Sequence, residues 1–199
     1  METDGAAATA TVETGIPTRE FGKTGVQVPI LQLGTAQRLD PGYDKVMHRC
    51  FQEGVTWFDT ALSYGWGSSH RAIANFLTQI GDRKRLWLTS KSGAGRVSGL
   101  QAGIDEALAG LGTDYLDLYL MHGIDDVRML DREYLAVGEQ LKAQGKTRFF
   151  GFSCHDGNVV ELMNRAAVEC NDNGNNPYDG DDGRQRQVRG EPFDLALKQ

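Results

Sequence analysis

The sequence predicts an α/β fold on a parallel sheet, either a (β/α) barrel or a doubly wound sheet, and three observations carry that expectation. Short apolar runs alternate five times with helical segments between Ile30 and Cys170, and such alternation implies parallel pairing through right-handed crossovers. The units recur at roughly 30-residue intervals, the length of one βαβ step. Polar residues also close each run on the same side: Thr35, Asp59, Lys91, His122 and Ser153. In parallel α/β folds that edge of the sheet is where ligands bind.

Residues 1–17 hold few large apolar side chains and are expected to form a flexible tail, because they cannot offset their own ordering entropy. Arg19 to Val28 reads as a β-hairpin around a glycine-flanked turn, a shape suited to capping one end of a barrel. Ile30 to Thr35 reads as a short buried strand, followed by a helix over Pro41 to Gly54 with Val46, Met47, Cys50 and Phe51 at helical spacing. Val55 to Thr60 is the second strand. Its helix, Ser68 to Ile80, places Ala72, Ile73, Phe76, Leu77 and Ile80 on one face. Leu86 to Lys91 is the third strand, with a helix from Val97 to Leu111 that stops at Gly112. Tyr115 to His122 is the longest strand signal, followed by a helix from Asp131 to Ala143 ending at Gly145. Thr147 to Ser153 is the fifth strand and Asn158 to Cys170 its helix.

After Cys170 the pattern stops: 171–192 is rich in Asn, Asp, Gly, Gln and Arg, so 171–199 is expected to be a polar low-complexity tail. Phe193, Leu195 and Leu197 are candidates for one last contact with the body. Asp172 to Gly183 lacks the carboxylate spacing and closing Glu of a helix-loop-helix calcium loop.

The formal charge of −6 and the absence of a basic run longer than Arg83-Lys84-Arg85 argue against nucleic acid or an anionic membrane as partner. Cys50, Cys154 and Cys170 are too few for a disulfide framework. With no secretory pattern and no apolar run near the ~20 residues of a bilayer span, a cytoplasmic protein is expected. Cys154-His155-Asp156 lacks metal-ligand spacing, and no metal site is expected.

Four residues make a proton-transfer set. Tyr64 is the natural proton donor to a carbonyl oxygen, but an ordinary phenol with a pKa near ~10 is a slow acid at neutral pH. A Lys91 ammonium beside it favours the phenolate, Asp59 holds Lys91, and His122 either donates to the substrate oxygen or shares in the proton relay. None of these supplies a reductant, which implies a hydride-carrying cofactor. Trp66, in the loop past Tyr64, either lines a substrate pocket or packs. Trp57, Trp87 and Tyr119 are expected to pack, and Asp117 to partner a helix end or backbone group.

Gly34-Thr35-Ala36, Trp57-Phe58-Asp59-Thr60-Ala61 with Tyr64-Gly65, Leu88-Thr89-Ser90-Lys91, and Asp114 to His122 together resemble the aldo-keto reductase superfamily, over residues 18–170 and in the right order. The resemblance implies a TIM-type (β/α)8 barrel of which only about five βα units are present, after an N-terminal β-hairpin. It implies reduction of a small aldehyde or ketone with NADPH (or NADH), through a catalytic tetrad Asp59, Tyr64, Lys91 and His122 with Tyr64 as general acid. Cofactor contacts are implied at Gly34, Thr35, Asp59 and Ser153. Where the family has a Ser-Asn pair after the fifth strand, this chain reads Ser153-Cys154. Where it commonly opens the next helix with Ser-Glu, this chain reads Ser69-His70. The family's last three strands and phosphate clamp have no visible counterpart after Cys170. Five strands cannot close an eight-stranded barrel, so open sheet edges are expected to invite a protein partner or self-association. A catalytically weak or inactive relative is the alternative expectation.

Overall fold

A computed structural model of the chain describes residues 15–93, 95–155, 157–170 and 196–198, of which 168–170 and 196–198 are described by backbone alone. The expected hairpin forms from β1 (Thr18–Glu20) and β2 (Gln27–Pro29), paired antiparallel. Its turn is closed by Phe21 N–H donating to the Val26 carbonyl at 2.8 Å, with Gly22 and Gly25 at positive φ, where a side chain would be strained.

Six strands follow in one parallel sheet, ordered as they occur in the chain: β3 (Gln32–Gly34), β4 (Trp57–Asp59), β5 (Trp87–Ser92), β6 (Leu116–Met121), β7 (Thr147–Cys154) and β8 (Ala196–Lys198). Between the first five strands lie α1 (Lys45–Gln52), α2 (Ser68–Ile80), α3 (Val97–Leu111) and α4 (Arg132–Ala143), and α5 (Val159–Cys170) follows β7. The sheet is the open, sequential arrangement of part of a (β/α) barrel, with β3 and β8 at its edges among the described residues.

Helices α2 and α3 occupy the spans their periodicity predicts, and Gly81 and Gly112 stop them in the left-handed conformation at φ 69° and 63°. α1 is shorter than expected. Asp44 Oδ1 accepts from the Val46 and Met47 N–H groups at 3.0 Å each and Oδ2 from Asp40 N–H at 2.9 Å, so residues 40–44 form the capping turn rather than a first helical turn.

Two further expectations are corrected. β3 is not a buried strand: Gln32 and Gly34 are exposed, and the preceding Ile30 and Leu31 are 53% and 52% exposed. An apolar run indicates β propensity but not whether a second strand covers it, and among the described residues β3 pairs with β4 alone. The regular pattern also does not end with α5. Residues 196–198 add a strand parallel to β7, with Leu197 opposite Ser153; three residues are too short to show a period. The polar-tail reading of 171–195, the rejected calcium loop and the tail over 1–14 lie outside the described residues.

Side-chain alternation sorts the sheet into two layers. On the helix side, Phe58, Leu88, Tyr119, Met121 and Phe152 pack with Ile73, Phe76, Leu100, Ile104 and Leu141. α3 comes so close that a Cβ on Gly103 would lie 2.6 Å from Ser92 Cβ and 2.9 Å from Tyr119 Oη. On the inner side, Trp57, Trp87, Leu118, Leu120 and Phe149 cluster beneath the hairpin. Phe21 is the plug, its ring centroid 5.0 Å from Trp87, 5.5 Å from Phe149 and 5.8 Å from Trp57. The hairpin therefore covers the amino-terminal end of the inner face. Asp117 is a structural partner as expected: it accepts from Leu88 N–H at 2.9 Å and pairs with Arg83 and Arg148 at 2.8 Å each. No helix among the described residues is long and apolar enough to cross a membrane.

Candidate active site

The alternation that turns Trp57 and Trp87 inward also turns Asp59 and Lys91 inward, two and four residues further along β4 and β5. Both lie past the inner apolar cluster, towards the carboxyl ends of the strands. Lys91 is fully buried, and its Nζ donates to Asp59 Oδ1 at 2.5 Å, the Thr60 carbonyl at 3.1 Å and Tyr64 Oη at 3.3 Å. All three ammonium protons are thus used, as a buried cation requires. Burial pushes the Asp59 carboxyl above the usual carboxylate range, and the attraction of Lys91 offsets only part of that rise.

Tyr64 starts a single 3-10 turn, 64–67, between β4 and α2. It is half-buried, with its ring centroid 4.9 Å from Lys91 Nζ. His122 follows β6, where its N–H continues the ladder to the Ser92 carbonyl at 2.8 Å. Its ring meets Tyr64 edge-on, centroids 5.7 Å apart and planes at 81°. Burial first, then the charges of Lys91 and His155, hold the His122 imidazole below its ordinary value. At neutral pH it is an uncharged N–H donor beside the phenol. All four residues predicted to catalyse converge on one mouth.

The expected cofactor residues divide into two kinds. Thr35 is fully buried, so it backs the site rather than lining it. Its hydroxyl donates to the Asp59 carbonyl at 2.8 Å and lies 2.7 Å from Ser69 Oγ, which is in turn 2.8 Å from Thr60 Oγ1. Each hydroxyl has one proton, so the order must be Thr60 to Ser69 to Thr35 to the Asp59 carbonyl. This relay ties the start of α2 to the ends of β3 and β4, and Ser69 is a site-supporting residue that sequence reading passed over. Gly34 is exposed, with nothing within 4 Å of the place a Cβ would take, so the backbone there is open to a ligand. Ser153 Oγ accepts from Gly123 N–H at 2.9 Å and donates to the Met121 carbonyl at 3.4 Å, which leaves one acceptor site. Ser153 is itself fully buried, so among the expected cofactor residues Gly34 is the one with open backbone at the carboxyl edge.

Cys154 is turned to the helix layer and its thiol donates to Asn158 Oδ1 at 3.5 Å. His155 is exposed beside the mouth, its ring 6.4 Å from that of His122. It is a fifth ionisable group at the site, one that the Cys154-His155-Asp156 run does not single out by metal or nucleophile spacing. Alternation was the available signal, since Ser153 and His155 fall on the same side of β7 and its continuation. Asp156 lies outside the described residues, and no group of three His, Cys, Asp or Glu among those described is placed to hold a metal. His70 has no part in the mouth: it is buried under α3 with Nε2 3.0 Å from Ser90 Oγ, and burial pushes it down to about 4. Trp66 does not pack; it is 96% exposed.

Residues 31–190 match the model of the Aldo/keto reductase family. An aldo-keto reductase of Gibberella moniliformis is 28% identical over 147 residues, 69% of this chain and 43% of that protein. Methylglyoxal reductase YeaE of Escherichia coli is 37% identical over 102 residues, 50% of this chain and 34% of that protein. Among solved structures, an aldo-keto reductase of Klebsiella pneumoniae in complex with NADPH superposes with a TM-score of 0.60 at 28% identity, covering 75% of this chain and 54% of the other. The chain spans about half the length, or less, of the proteins it resembles.

Proposed function

Because the chain belongs to the aldo/keto reductase family, we propose that it reduces an aldehyde or ketone to an alcohol, with Tyr64 as the general acid. One observation carries this reading: the buried Lys91 Nζ bridges Asp59 Oδ1 at 2.5 Å and Tyr64 Oη at 3.3 Å. A bound NADPH or NADH would supply the hydride for the reduction. The remaining steps belong to this chain. His122, uncharged at neutral pH, donates an N–H to the carbonyl oxygen and orients it towards the phenol. Tyr64 transfers its proton to that oxygen as negative charge develops there, and the Lys91 ammonium faces the tyrosinate left behind. Asp59 keeps Lys91 in place. Solvent returns the proton to Tyr64, which is half-buried and so reachable. Gly34 is the exposed position proposed to meet the cofactor, with the buried Thr35, Asp59 and Ser153 fixing the strand ends around it.

NADPH fluorescence titration of the purified chain tests the reading, with saturable binding expected. Tyr64→Phe should keep cofactor affinity and lose carbonyl reduction by about 10²–10⁴-fold; absence of saturable binding, or unchanged turnover in the variant, would sink it.

A second reading has its own support in the half-exposed Ile30 and Leu31 beside the edge of β3 that pairs with no strand but β4 among the described residues. That edge suits strand addition by another chain. A single monomeric species at all concentrations in sedimentation velocity would remove self-association.

A further inference from the structure

The mouth holds a second histidine that the reduction as described does not use. His155 lies one residue past β7, exposed, with its ring centroid 6.4 Å from that of His122. Backbone bonds hold the two rings at this spacing. Gly123 N–H donates to Ser153 Oγ at 2.9 Å and Ile124 N–H to the Ser153 carbonyl at 2.8 Å, so the chain that follows His122 is fastened to the end of β7. A Cβ on Gly123 would lie 3.6 Å from His155 Cδ2, so the His155 ring rests against this glycine.

The charges around the pair are unevenly placed. Behind His122 stand the Tyr64 phenol and the buried Lys91, which is paired with Asp59. On the loop after β6, Asp126 is engaged by Arg128, and Asp125 is exposed with its carbonyl held by Asn158. Asp156 and the side chain of Lys198, whose backbone pairs with Cys154, lie outside the described residues. Solvent stabilises a cation on the exposed ring, whereas burial and Lys91 oppose one on His122. The first proton that the pair takes up as pH falls therefore goes to His155, and its charge opposes a second on the neighbour. An imidazolium is a far stronger acid than a phenol and would compete with Tyr64 to protonate the carbonyl oxygen.

We propose that His155 is a positioning residue of the Tyr64 site, an exposed cation that keeps His122 uncharged as pH falls and so leaves the phenol as the proton donor. This rests on the carbonyl-reduction reading and adds to it a residue that acts through His122.

The test follows the imidazole Cε1–H signals of the full chain by NMR from acid to neutral pH. His155→Gln and His155→Lys each leave one ring at the mouth, which removes the ambiguity of a coupled pair. His155→Gln should raise the His122 midpoint by about 0.5–1 pH unit, the size expected of a like charge at this distance in a half-exposed setting. His155→Lys, which keeps a charge without the ring, should hold the midpoint near the wild-type value. Because the charge is exposed, sodium chloride at about 1 M should move wild type towards His155→Gln. In butanal reduction with NADPH, the acid-side inflection of kcat/KM should move in His155→Gln by the same amount as the midpoint. An unchanged His122 midpoint in His155→Gln, or an equal rise in both variants, would overturn the assignment. A midpoint shift with no reduction by any form would sink the reductase reading, while leaving His155 as the group that keeps His122 uncharged.

Discussion

Replacing Lys91 with methionine removes the ammonium and keeps most of the side-chain volume. Lys91 is fully buried and Asp59 is 3% exposed, so the variant leaves a carboxyl in the interior without the cation 2.5 Å away. Breaking a buried pair from one side costs about 3–5 kcal/mol, against about 0–1 kcal/mol for a pair in solvent. The upper figure is a large part of a domain's total stability of ~5–15 kcal/mol. Asp59→Asn/Lys91→Met removes both charges and should be less destabilised than Lys91→Met alone, a non-additivity expected of groups in contact. The pH dependence has a definite sign. Asp59 in the folded chain sits above its ordinary value of 3.8, so its contribution to stability is fully present below that value and lost as pH rises through the raised one. Without Lys91 the rise is larger, and the deficit of Lys91→Met should shrink on acidification. Urea unfolding followed by circular dichroism between pH 4 and pH 8 reads all three quantities. A deficit below about 1 kcal/mol at neutral pH, or strict additivity in the double variant, would refute the description of a buried, mutually dependent pair.

Two more outcomes follow from the packing. His70 is held at about 4, below its ordinary 6.5, so its contribution to stability is present above 6.5 and lost as pH falls towards 4. The difference in unfolding free energy between wild type and His70→Gln should therefore grow from pH 4 to pH 7, by at most ~3 kcal/mol; a flat difference would mean that the ring is not buried against Ser90. Gly103→Ala should destabilise by about 1–3 kcal/mol in thermal or urea melts despite the better helix propensity of alanine, because its methyl group would meet Ser92 Cβ at 2.6 Å. A stabilised variant would show that α3 stands further from the sheet.

Much of the site was legible because its signals are local. The period of two in Trp57-Phe58-Asp59 and Trp87 to Lys91 places the apolar and polar members of each strand, and Gly81 and Gly112 stop their helices by a conformation that glycine adopts at low cost. From these, the order of elements and the strand-end candidates Asp59, Lys91 and His122 follow without knowledge of any contact, whereas Tyr64, in a loop, rests on its chemistry within the set and on the family resemblance. The cofactor contacts were less legible. Thr35 and Ser153 stand at strand ends as expected, yet Thr35 is a buried link in a hydroxyl relay through Ser69, a partner 34 positions away.

By itself, then, the sequence determined the order of strands and helices, the spans of α2 and α3 with their glycine stops, and which acid and base groups the chain carries to the carboxyl edge. Tertiary structure alone decided that the third proton of Lys91 goes to the Thr60 carbonyl, that His155 stands beside His122, and that Cys154 turns away to the helices. It also decided that β3 is exposed, that 196–198 join the sheet, and that Trp66 is left in solvent. The physical reason is the same in each case. Periodicity and turn chemistry act within a few residues, whereas register, edge position and the handedness of a crowded turn depend on atoms brought together from distant parts of the chain.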